Sequence, residues 1–353
     1  MIGHDLPPRD EMVRAFLHRD STYEGVFVTA VRTTGIFCRP ACSARKPRPE
    51  NVEFYSTCHA ALLAGYRPCK RCDPMVPLGQ LPTWVRPLME EVDADPTRRW
   101  RDEDLRGMGL DPGRVRRWFR SSHGMTFHAY SRSRRLGEAV GRIQDGEGVA
   151  RSAFGVGYDS LSGFQEAFRK LVGDAPTAAR NAPVIRFTRL PTPLGPVVAG
   201  ATDDALCLLE FADRRGLPTQ LRTLARRTGA VLTPGDNDIL DKLRTELNDY
   251  FRGGRAAFTV PVHAPGTDFQ ERVWRELRRI EPGATISYAD LARRIGQPTA
   301  VRAVARANGH NRVAILIPCH RVVGADGTLT GYGGGLWRKK RLLELEREQG
   351  SAG

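Results

Sequence analysis

The chain has 353 residues, of which 41% are hydrophobic and 27% are charged, and its formal net charge is +14 at pH 7. This composition excludes wholesale disorder, and the length favours two or three domains over a single core. A basic excess of this size predicts a polyanionic partner, with nucleic acid first among the candidates.

Membrane insertion and secretion are not expected. No apolar run approaches the length of a membrane span, and the first residues lack the apolar segment of a signal peptide. We therefore expect a cytoplasmic protein of the bacterial cytosol and nucleoid without a membrane partner. The seven cysteines then indicate metal binding or nucleophilic roles rather than disulfides. No heptad or symmetric interface pattern appears, so we expect a monomer.

Two proline-rich stretches, residues 73–84 and 181–196, divide the chain into three parts. The first part contains two cysteine pairs, C-x-x-x-C in GIFCRPACSA and C-x-x-C in YRPCKRC. Pairs at this spacing direct two thiolates at one centre, and two pairs complete the tetrahedral site that zinc prefers. The predicted zinc ligands are Cys38, Cys42, Cys69 and Cys72.

Cys58 and His59 are rival ligands in this part of the chain. They begin an Ala/Leu-rich helix, where neighbouring side chains point in different directions. We therefore assign both residues to packing at the end of that helix.

Basic residues surround the two cysteine pairs, in a pattern that suits contact with phosphates. The predicted DNA contacts are Arg39, Arg45, Arg67, Lys70 and Arg71. The stretch FVTAVRTTGIFCRPACSARKPRPENVEFY, followed by AGYRPCKRC, resembles the zinc-binding N-terminal domain of the Ada family, which regulates the bacterial response to DNA alkylation.

This resemblance covers about residues 10–75 and implies that Cys38 accepts a methyl group from methylphosphotriesters of the DNA backbone. A zinc ion with four thiolates carries a formal charge of about −2, and methylating one sulfur leaves about −1. We expect the less negative cluster to be repelled less by phosphates, so that methylation promotes promoter binding.

The middle part contains an internal repeat. GLDPGRVRRWFRSSHG (109–124) and GYDSLSGFQEAFRKLVG (157–173) share a Gly-x-Asp opening and a later Phe-Arg-x-x-x-Gly. Both copies predict a turn followed by a short helix, and the second copy resembles the AraC-type double helix-turn-helix domain. In the first copy, Gly107 and Gly109 fall where a helix is expected and weaken it by about 1 kcal/mol per interior glycine.

The predicted groove-facing residues of this domain are Arg114, Arg116 and Arg117 in the first copy, and Ser162 and Gln165 in the second. The expected partners are promoter DNA and RNA polymerase.

The third part begins with LGPVVAGATDDALCLLEFA, which has the pattern of paired strands and places Cys207 in a core. TDFQERVWREL begins with a capping box at Thr267, and SYADLARRIG begins with Ser287 as its N-cap. A further helix is expected after Pro298, with Thr299 as its cap, which completes a helix-turn-helix.

The stretch LIPCHRVV (316–323) places Cys319 and His320 side by side in an extended, apolar segment. Neighbouring side chains of such a segment point to opposite faces, so we expect no direct contact between the thiol and the imidazole. NRVAILIPCHRVVGADGTLTGYGGGLWRKKRLLELE resembles the active-site region of the O6-alkylguanine-DNA alkyltransferases, a likeness that spans about residues 185–349 with the preceding helix-turn-helix.

The alkyltransferase resemblance implies that Cys319 is the methyl acceptor and that a water links its sulfur to the base His320. Glu346 is the expected orienting carboxylate, with Glu344 as the alternative, and Asn311 braces the active-site turn. The methyl donor is DNA, so no S-adenosylmethionine is expected, and each site reacts once.

The same resemblance implies roles for two residues when the damaged guanine is flipped out of the duplex. Tyr288 lies near the base and its phosphate, and Arg302 fills the gap left in the duplex. A flipped base must also be gripped, and we expect Tyr332 and the Gly-rich GYGGG loop to form that wall. The chain departs from the family pattern at Gly333, where some relatives carry a serine.

The expected fold is a multidomain α+β protein. It comprises a small zinc-binding α/β domain (1–78), an all-α double helix-turn-helix domain (79–183), and an alkyltransferase domain divided into a sheet subdomain (184–265) and a helical, winged-helix-like catalytic subdomain (266–353).

The preferred function is an adaptive-response protein that repairs phosphotriesters at Cys38 and O6-methylguanine and O4-methylthymine at Cys319, and activates transcription. One alternative is a regulator that senses damage only at the zinc site. The other is a repair-only alkyltransferase without transcriptional activation.

Overall fold

The computed structural model describes residues 6–76, 81–172, 181–254 and 257–350. Within these residues no helix has the length and apolarity needed to cross a membrane. The helices are α1 (Arg9–His18), α2 (Cys58–Leu63), α3 (Arg86–Ala94), α4 (Asp102–Gly107), α5 (Pro112–His123), α6 (Phe127–Gln144), α7 (Val149–Gly155), α8 (Leu161–Val172), α9 (Leu217–Thr228), α10 (Asp238–Phe251), α11 (Asp268–Leu277), α12 (Tyr288–Arg294), α13 (Val301–Gly309) and α14 (Leu336–Gly350). The strands are β1 (Val28–Val31), β2 (Ile36–Cys38), β3 (Val52–Tyr55), β4 (Arg67–Pro68), β5 (Val184–Leu190), β6 (Val197–Ala201), β7 (Leu206–Phe211), β8 (Val231–Pro234), β9 (Ile286–Ser287) and β10 (Val322–Val323).

The N-terminal sheet has the strand order β3-β1-β2-β4. Strand β1 is buried along its whole length and pairs antiparallel with β2 and β3, whereas β4 runs parallel to β2. Because β2 and β4 are parallel neighbours, their carboxyl ends meet at one edge of the sheet. Cys38 ends β2, and Cys69 directly follows β4, with its amide donating to the carbonyl of Phe37 at 3.0 Å. The topology therefore delivers both cysteine pairs to the same place.

The middle part forms two helix-turn-helix motifs, α4–α5 and α7–α8, joined by the long helix α6. The predicted interruption of the first motif by glycine is wrong. Gly109 lies in the turn after α4 with φ of +72°, as Gly157 does after α7 with φ of +78°. Gly107 is the last residue of α4 rather than an interior one. The left-handed region costs glycine little, so these residues form the turns of the two motifs.

The second sheet has the order β7-β6-β5-β8 and contains the predicted pair, β6 and β7, in antiparallel register. One of its faces carries Cys207 and Phe187, which pack in one core with Leu88 of α3 and Phe119 of α5. The opposite face shares a core with α10, α11, α12, α13 and α14. The proline-rich stretch at 181–196 thus does not separate two independent cores, because the sheet is covered by the helices that precede it.

The C-terminal part confirms two of the three predicted helix caps. Thr267 and Gln270 form a capping box at α11, and Ser287 and Asp290 form another at α12. The predicted cap at Thr299 is wrong. A turn closed by the amide of Ala300 on the carbonyl of Gln297, at 2.9 Å, delays the start of α13 to Val301.

Helix α14 contacts the N-terminal part of the chain. Trp337 is half-buried and packs both against the core that contains α10 and α11 and against a small cluster that includes Met12, Val26 and Phe27. Gly335, with φ of +91°, lies so close to Thr22 that a Cβ at position 335 would overlap the threonine side chain. The expected boundary at residues 78–79 lies outside the described residues.

Candidate functional site

The segment around Cys319 is a tight turn rather than the extended segment expected from sequence. Residues Cys319–Arg321 form a short 3₁₀ helix that begins after Pro318, and only Val322–Val323 are extended. Upstream, Ile315 has φ of +72°, a strained conformation for a β-branched residue. Such strain persists only where the surroundings impose it, so the turn is held from outside.

Asn311 holds this turn, as expected from sequence, and it also contacts the sulfur of Cys319. Its side-chain Nδ2 donates to the carbonyl of Ile317 at 2.8 Å and to Sγ of Cys319 at 3.1 Å, while its Oδ1 accepts from the amide of Val313 at 3.0 Å. Asn311 and Cys319 are both buried. A donor aimed at the sulfur favours the thiolate over the thiol.

His320 and Glu346 form a buried pair, with His320 Nε2 at 2.9 Å from Oε1 of Glu346. Sequence reasoning missed two further residues of this network. Tyr250 donates its hydroxyl to Glu346 at 2.9 Å, and Arg321 donates to both carboxylate oxygens at 2.8 Å. The alternative, Glu344, instead pairs with Arg341 near the surface of α14.

The contact with Glu346 sets the protonation of the imidazole. Because Nε2 faces a carboxylate it carries the hydrogen, which leaves a lone pair on Nδ1. Nδ1 of His320 is buried and has no hydrogen-bond partner among the described residues. It is therefore placed to receive a proton, and a water between it and the sulfur fits this geometry better than direct contact.

Burial is the largest influence on the pKa of Cys319 and on the pKa of His320. Burial raises the pKa of Cys319 to about 11, with Asn311 opposing the shift. Burial lowers the pKa of His320 below its ordinary value, against the effect of Glu346. Burial also raises the pKa of Glu346, but the hydrogen bonds from His320 and Arg321 outweigh it and hold that pKa well below its usual range.

A cavity of about 400 Å³ opens onto Cys319. It is lined by Glu210, Arg214, Tyr288, Ala305, Asn308, Gly309, Asn311, Ala314, Cys319, Thr330, Gly331, Tyr332, Gly333 and Gly334. Tyr288 and Tyr332 are therefore brought together as expected. The hydroxyl of Tyr332 is buried and has no hydrogen-bond partner within the described ranges. Burial raises the pKa of Tyr288 above its ordinary value. Arg302 is exposed on α13, one turn before the cavity residue Ala305.

Two buried cations fix the loop that closes the cavity. The ammonium of Lys339 donates to the carbonyls of Val322 and Thr330, and burial lowers its pKa to about 8. Arg338 donates to Asp213 at 2.8 Å and to the carbonyl of Gly334 at 3.1 Å. The sequence offered no local signal for either role, because lysine and arginine are rarely buried.

The four predicted zinc ligands converge in the second centre. The sulfur atoms of Cys38, Cys42, Cys69 and Cys72 all lie within 4.8 Å of one another. Contact between the sulfurs couples their titration, so that Cys42 raises the pKa of Cys38 while Cys38 lowers the pKa of Cys42 to about 2. Four thiols at this separation compete for protons. A single divalent cation bound between them would stabilise all four as thiolates. Cys58 is not among them and donates to the carbonyl of Pro74 at 3.2 Å.

Arg39 differs from the other predicted DNA contacts near this centre. Its guanidinium donates to the carbonyls of Cys72 and Asp73, both at 3.2 Å, and pairs with Glu24 at 3.2 Å. The structure thus engages Arg39 in bracing the second cysteine loop. The remaining four, Arg45, Arg67, Lys70 and Arg71, are exposed.

The predicted groove-facing residues lie on α5 and α8. Arg116 pairs with Asp102 at 3.4 Å, Arg117 lies 3.9 Å from Asp111, and Arg114 stacks over the ring of Trp84 at 4.1 Å. Ser162 and Gln165 are exposed on α8.

Three family models match separate parts of the chain. The metal binding domain of Ada matches residues 11–75, a helix-turn-helix domain matches 106–182, and the DNA binding domain of 6-O-methylguanine DNA methyltransferase matches 268–348.

The chain is 35% identical to the bifunctional transcriptional activator/DNA repair enzyme Ada of Escherichia coli over 351 residues, which cover 96% of each chain. It is 41% identical to a methylated-DNA–protein-cysteine methyltransferase of Mycobacterium bovis over 169 residues, or 48% of this chain and 96% of that protein. A crystal structure of Mycobacterium tuberculosis O6-methylguanine methyltransferase shares 40% identity, covers 47% of this chain and 94% of that one, and superposes with a TM-score of 0.42.

Proposed function

This chain belongs to the Ada family of bifunctional transcriptional activators and DNA repair methyltransferases, and we propose that its two repair activities reside at Cys38 and Cys319. The observation that carries this assignment is the surroundings of the two sulfur atoms. Cys38 belongs to a four-cysteine cluster, and Cys319 lines a cavity beside a buried His–Glu pair. Both transfers are irreversible, and each cysteine reacts once, since the methyl group of the thioether product is not released from the sulfur.

At Cys319, the thiol proton passes through a water to Nδ1 of His320, and Glu346 stabilises the resulting imidazolium. The thiolate attacks the methyl carbon of O6-methylguanine, or of O4-methylthymine, and the carbon–oxygen bond breaks with its electron pair remaining on the base. Asn311 orients the sulfur through its 3.1 Å hydrogen bond. Tyr288, Tyr332 and Arg302 grip the flipped base and fill the duplex behind it.

At the second centre, Cys38, Cys42, Cys69 and Cys72 hold zinc, which keeps the sulfurs deprotonated at neutral pH. Cys38 accepts the methyl group of a phosphotriester, with Arg45, Arg67, Lys70 and Arg71 contacting the neighbouring phosphates. Arg39 braces the loop that carries Cys72. Loss of one negative charge upon methylation then strengthens promoter binding.

The two helix-turn-helix motifs bind promoter DNA. RNA polymerase is then the partner in transcriptional activation. The intact turn at Gly109 removes the reason for which a repair-only protein was considered. We place the domain bounds at 1–78, 79–183, 184–265 and 266–353, and we propose a cytoplasmic monomer.

The test is intact-protein mass and peptide mapping after incubation of the zinc-loaded protein with methylated duplex DNA. We expect two added methyl groups, one on Cys38 and one on Cys319, and a single remaining site in each of C38S and C319S. Methylation of Cys38 alone would favour the regulator without base repair. Methylation of Cys319 alone would reduce the zinc centre to a structural role, and no added mass would contradict both assignments.

A further inference from the structure

The cavity beside Cys319 contains an ion pair that the transfer described above does not use. Glu210 lies on β7 with only 1% of its surface exposed, and its carboxylate contacts the guanidinium of Arg214. The carboxylate also accepts from the amide of Phe211 at 3.0 Å. Both charged residues line the cavity, and Arg214 is the only cationic side chain among the described residues that do so.

The guanidinium of Arg214 is fixed on one side of this cavity. Besides Glu210, it contacts the carbonyl of Gly309 at 2.6 Å and the carbonyl of Asn311 at 3.2 Å. Asn311 is the residue whose side chain contacts the sulfur of Cys319. The guanidinium is thus linked through Asn311 to the sulfur of Cys319, and three acceptors fix its position.

Part of the guanidinium is left without protein acceptors. The three contacts use both hydrogens of Nη1 and one hydrogen of Nη2. An arginine side chain carries five N–H donors. The Nε hydrogen and one Nη2 hydrogen therefore have no hydrogen-bond acceptor in the described part of the chain.

Gly333, which also lines the cavity, leaves room for the neighbouring guanidinium because it lacks a side chain. A Cβ placed on Gly333 would lie 2.6 Å from Cζ and 2.8 Å from Nε of Arg214. The guanidinium therefore occupies the space that any larger residue at position 333 would take. The observed position of the Arg214 guanidinium therefore requires a residue without a side chain at position 333.

We propose that Arg214 donates hydrogen bonds to O6 of the flipped guanine and stabilises the negative charge that this oxygen acquires as the methyl group leaves. This inference rests on the proposed role of Cys319 as the acceptor of that methyl group. In the transfer, the bond from Sγ to the methyl carbon forms while the bond from that carbon to O6 breaks, and the electron pair remains on the guanine. The guanine anion then takes up one proton, equivalent to the one that His320 received from Cys319.

The physical basis is the placement of a fixed cation where charge develops. Preorganised donors aimed at a developing oxyanion act strongly in a site that excludes water, because they need no reorganisation during the reaction. Glu210 contributes by holding the guanidinium in place before the substrate arrives. Removing one such donor slows reactions by about 10²- to 10³-fold.

The test is the single-turnover rate of methyl transfer at saturating concentrations of a duplex oligonucleotide that contains one O6-methylguanine. We expect Arg214→Ala to slow transfer to Cys319 by about 100-fold, whereas Arg215→Ala, which removes the same charge from the exposed neighbouring residue, matches the unmodified protein. Because Arg214→Ala leaves Glu210 buried without its cation, the double variant E210Q/R214A is measured beside it and is expected to be equally slow.

A reciprocal pair of variants separates contact with the leaving oxygen from a purely structural role. Gly333→Ser alone is expected to slow transfer, because its side chain meets the guanidinium. In R214A/G333S, however, the serine hydroxyl enters the vacated space, and we expect most of the rate to return. Alkylation of Cys319 by iodoacetamide, whose leaving group does not depend on this contact, is expected to be unchanged in E210Q/R214A, which removes both the charge that lowers and the charge that raises the pKa of Cys319.

Two results would overturn the inference: transfer by R214A and E210Q/R214A as fast as by R215A, or R214A/G333S as slow as R214A. Either result leaves the assignment of Cys319 intact. If the unmodified protein places no methyl group on Cys319 from this oligonucleotide, the proposed function itself fails.

Discussion

His320, the proposed base, lies in a buried network whose electrostatics set the pH range in which its imidazole is neutral. Its Nε2 hydrogen is donated to Glu346. Its Nδ1 lone pair accepts no hydrogen bond from any of the described residues. Burial without a compensating water shell disfavours the imidazolium, so the neutral base persists to a lower pH than that of an exposed histidine.

This shift predicts the pH dependence of repair at Cys319. Imidazole is active when deprotonated, and its pKa is lowered from the ordinary 6.5, while the pKa of Cys319 is raised to about 11. We therefore expect the single-turnover rate of methyl transfer to stay level between about pH 8 and pH 6 and to decline only in more acidic buffer. Rapid-quench measurements across this range provide the check, and a midpoint at pH 6.5 or above would contradict the prediction.

At this scale the sequence predicted which candidate residues lie together but not their environment. Cys319, His320, Asn311 and Glu346 belong to motifs that can be read along the chain. Tyr250 reaches Glu346 across 96 positions, from a different subdomain. No local pattern of charge or hydrophobicity encodes such a contact, which arises only when α10 packs against α14.

The two helix-turn-helix motifs share one device for turning the chain. In the first, the amide of Leu110 donates to the carbonyl of Leu105 at 2.9 Å, and in the second the amide of Tyr158 donates to the carbonyl of Ala153 at 3.1 Å. Both bonds span five residues and enclose a glycine with positive φ. The internal repeat therefore encodes a turn geometry, which a helix-propensity argument at Gly107 and Gly109 misses.

A pair of nearby glycine substitutions tests this interpretation. Gly109→Ala forces alanine into the left-handed region and should lower the free energy of unfolding by about 1 kcal/mol. Gly107→Ala lies at the end of α4 with open space around its Cβ and should be neutral or stabilising by up to about 1 kcal/mol. Urea denaturation of both variants measures the difference, and equal effects would show that Gly109 has no special backbone role.

Elements were easiest to predict where their signals are local. The capping boxes at Thr267 and Ser287 involve side chains only three residues apart, so both helix starts could be predicted. The start of α13 depends on a turn between Gln297 and Ala300, and Cys319 lies in a 3₁₀ helix imposed by contacts of Asn311. These features follow from the packed structure rather than from the neighbouring residues.

Across the whole molecule, the three parts are less separate than the proline-rich stretches indicated. One sheet contributes to two cores, and Trp337 belongs both to the alkyltransferase core and to the cluster around Met12 and Phe27. An aromatic side chain shared by two cores couples their stabilities, because unfolding either one exposes it to water.

This coupling predicts how the protein unfolds. Trp337→Ala should destabilise the N-terminal part by about 2 kcal/mol, less than for a fully buried aromatic because the indole is half-buried. In urea titrations, we expect zinc release and loss of methyl transfer at Cys319 to occur together in the unmodified protein and zinc release to come first in the variant. Leu336→Ala, at a neighbouring position that is 46% exposed, is the control and should leave the two transitions together. Coincident transitions in Trp337→Ala would indicate that other contacts carry the coupling.

The position of Trp337 also constrains how such a chain evolves. In a related protein that lacks the zinc-binding part, this side chain would lose its cover, and we expect a polar residue at the position. In this chain it packs with Met12 and Phe27, beside the close approach of Thr22 to Gly335. An exchange of one part between diverged relatives would bring together residues that do not match, so we expect the parts of such a chain to be inherited together.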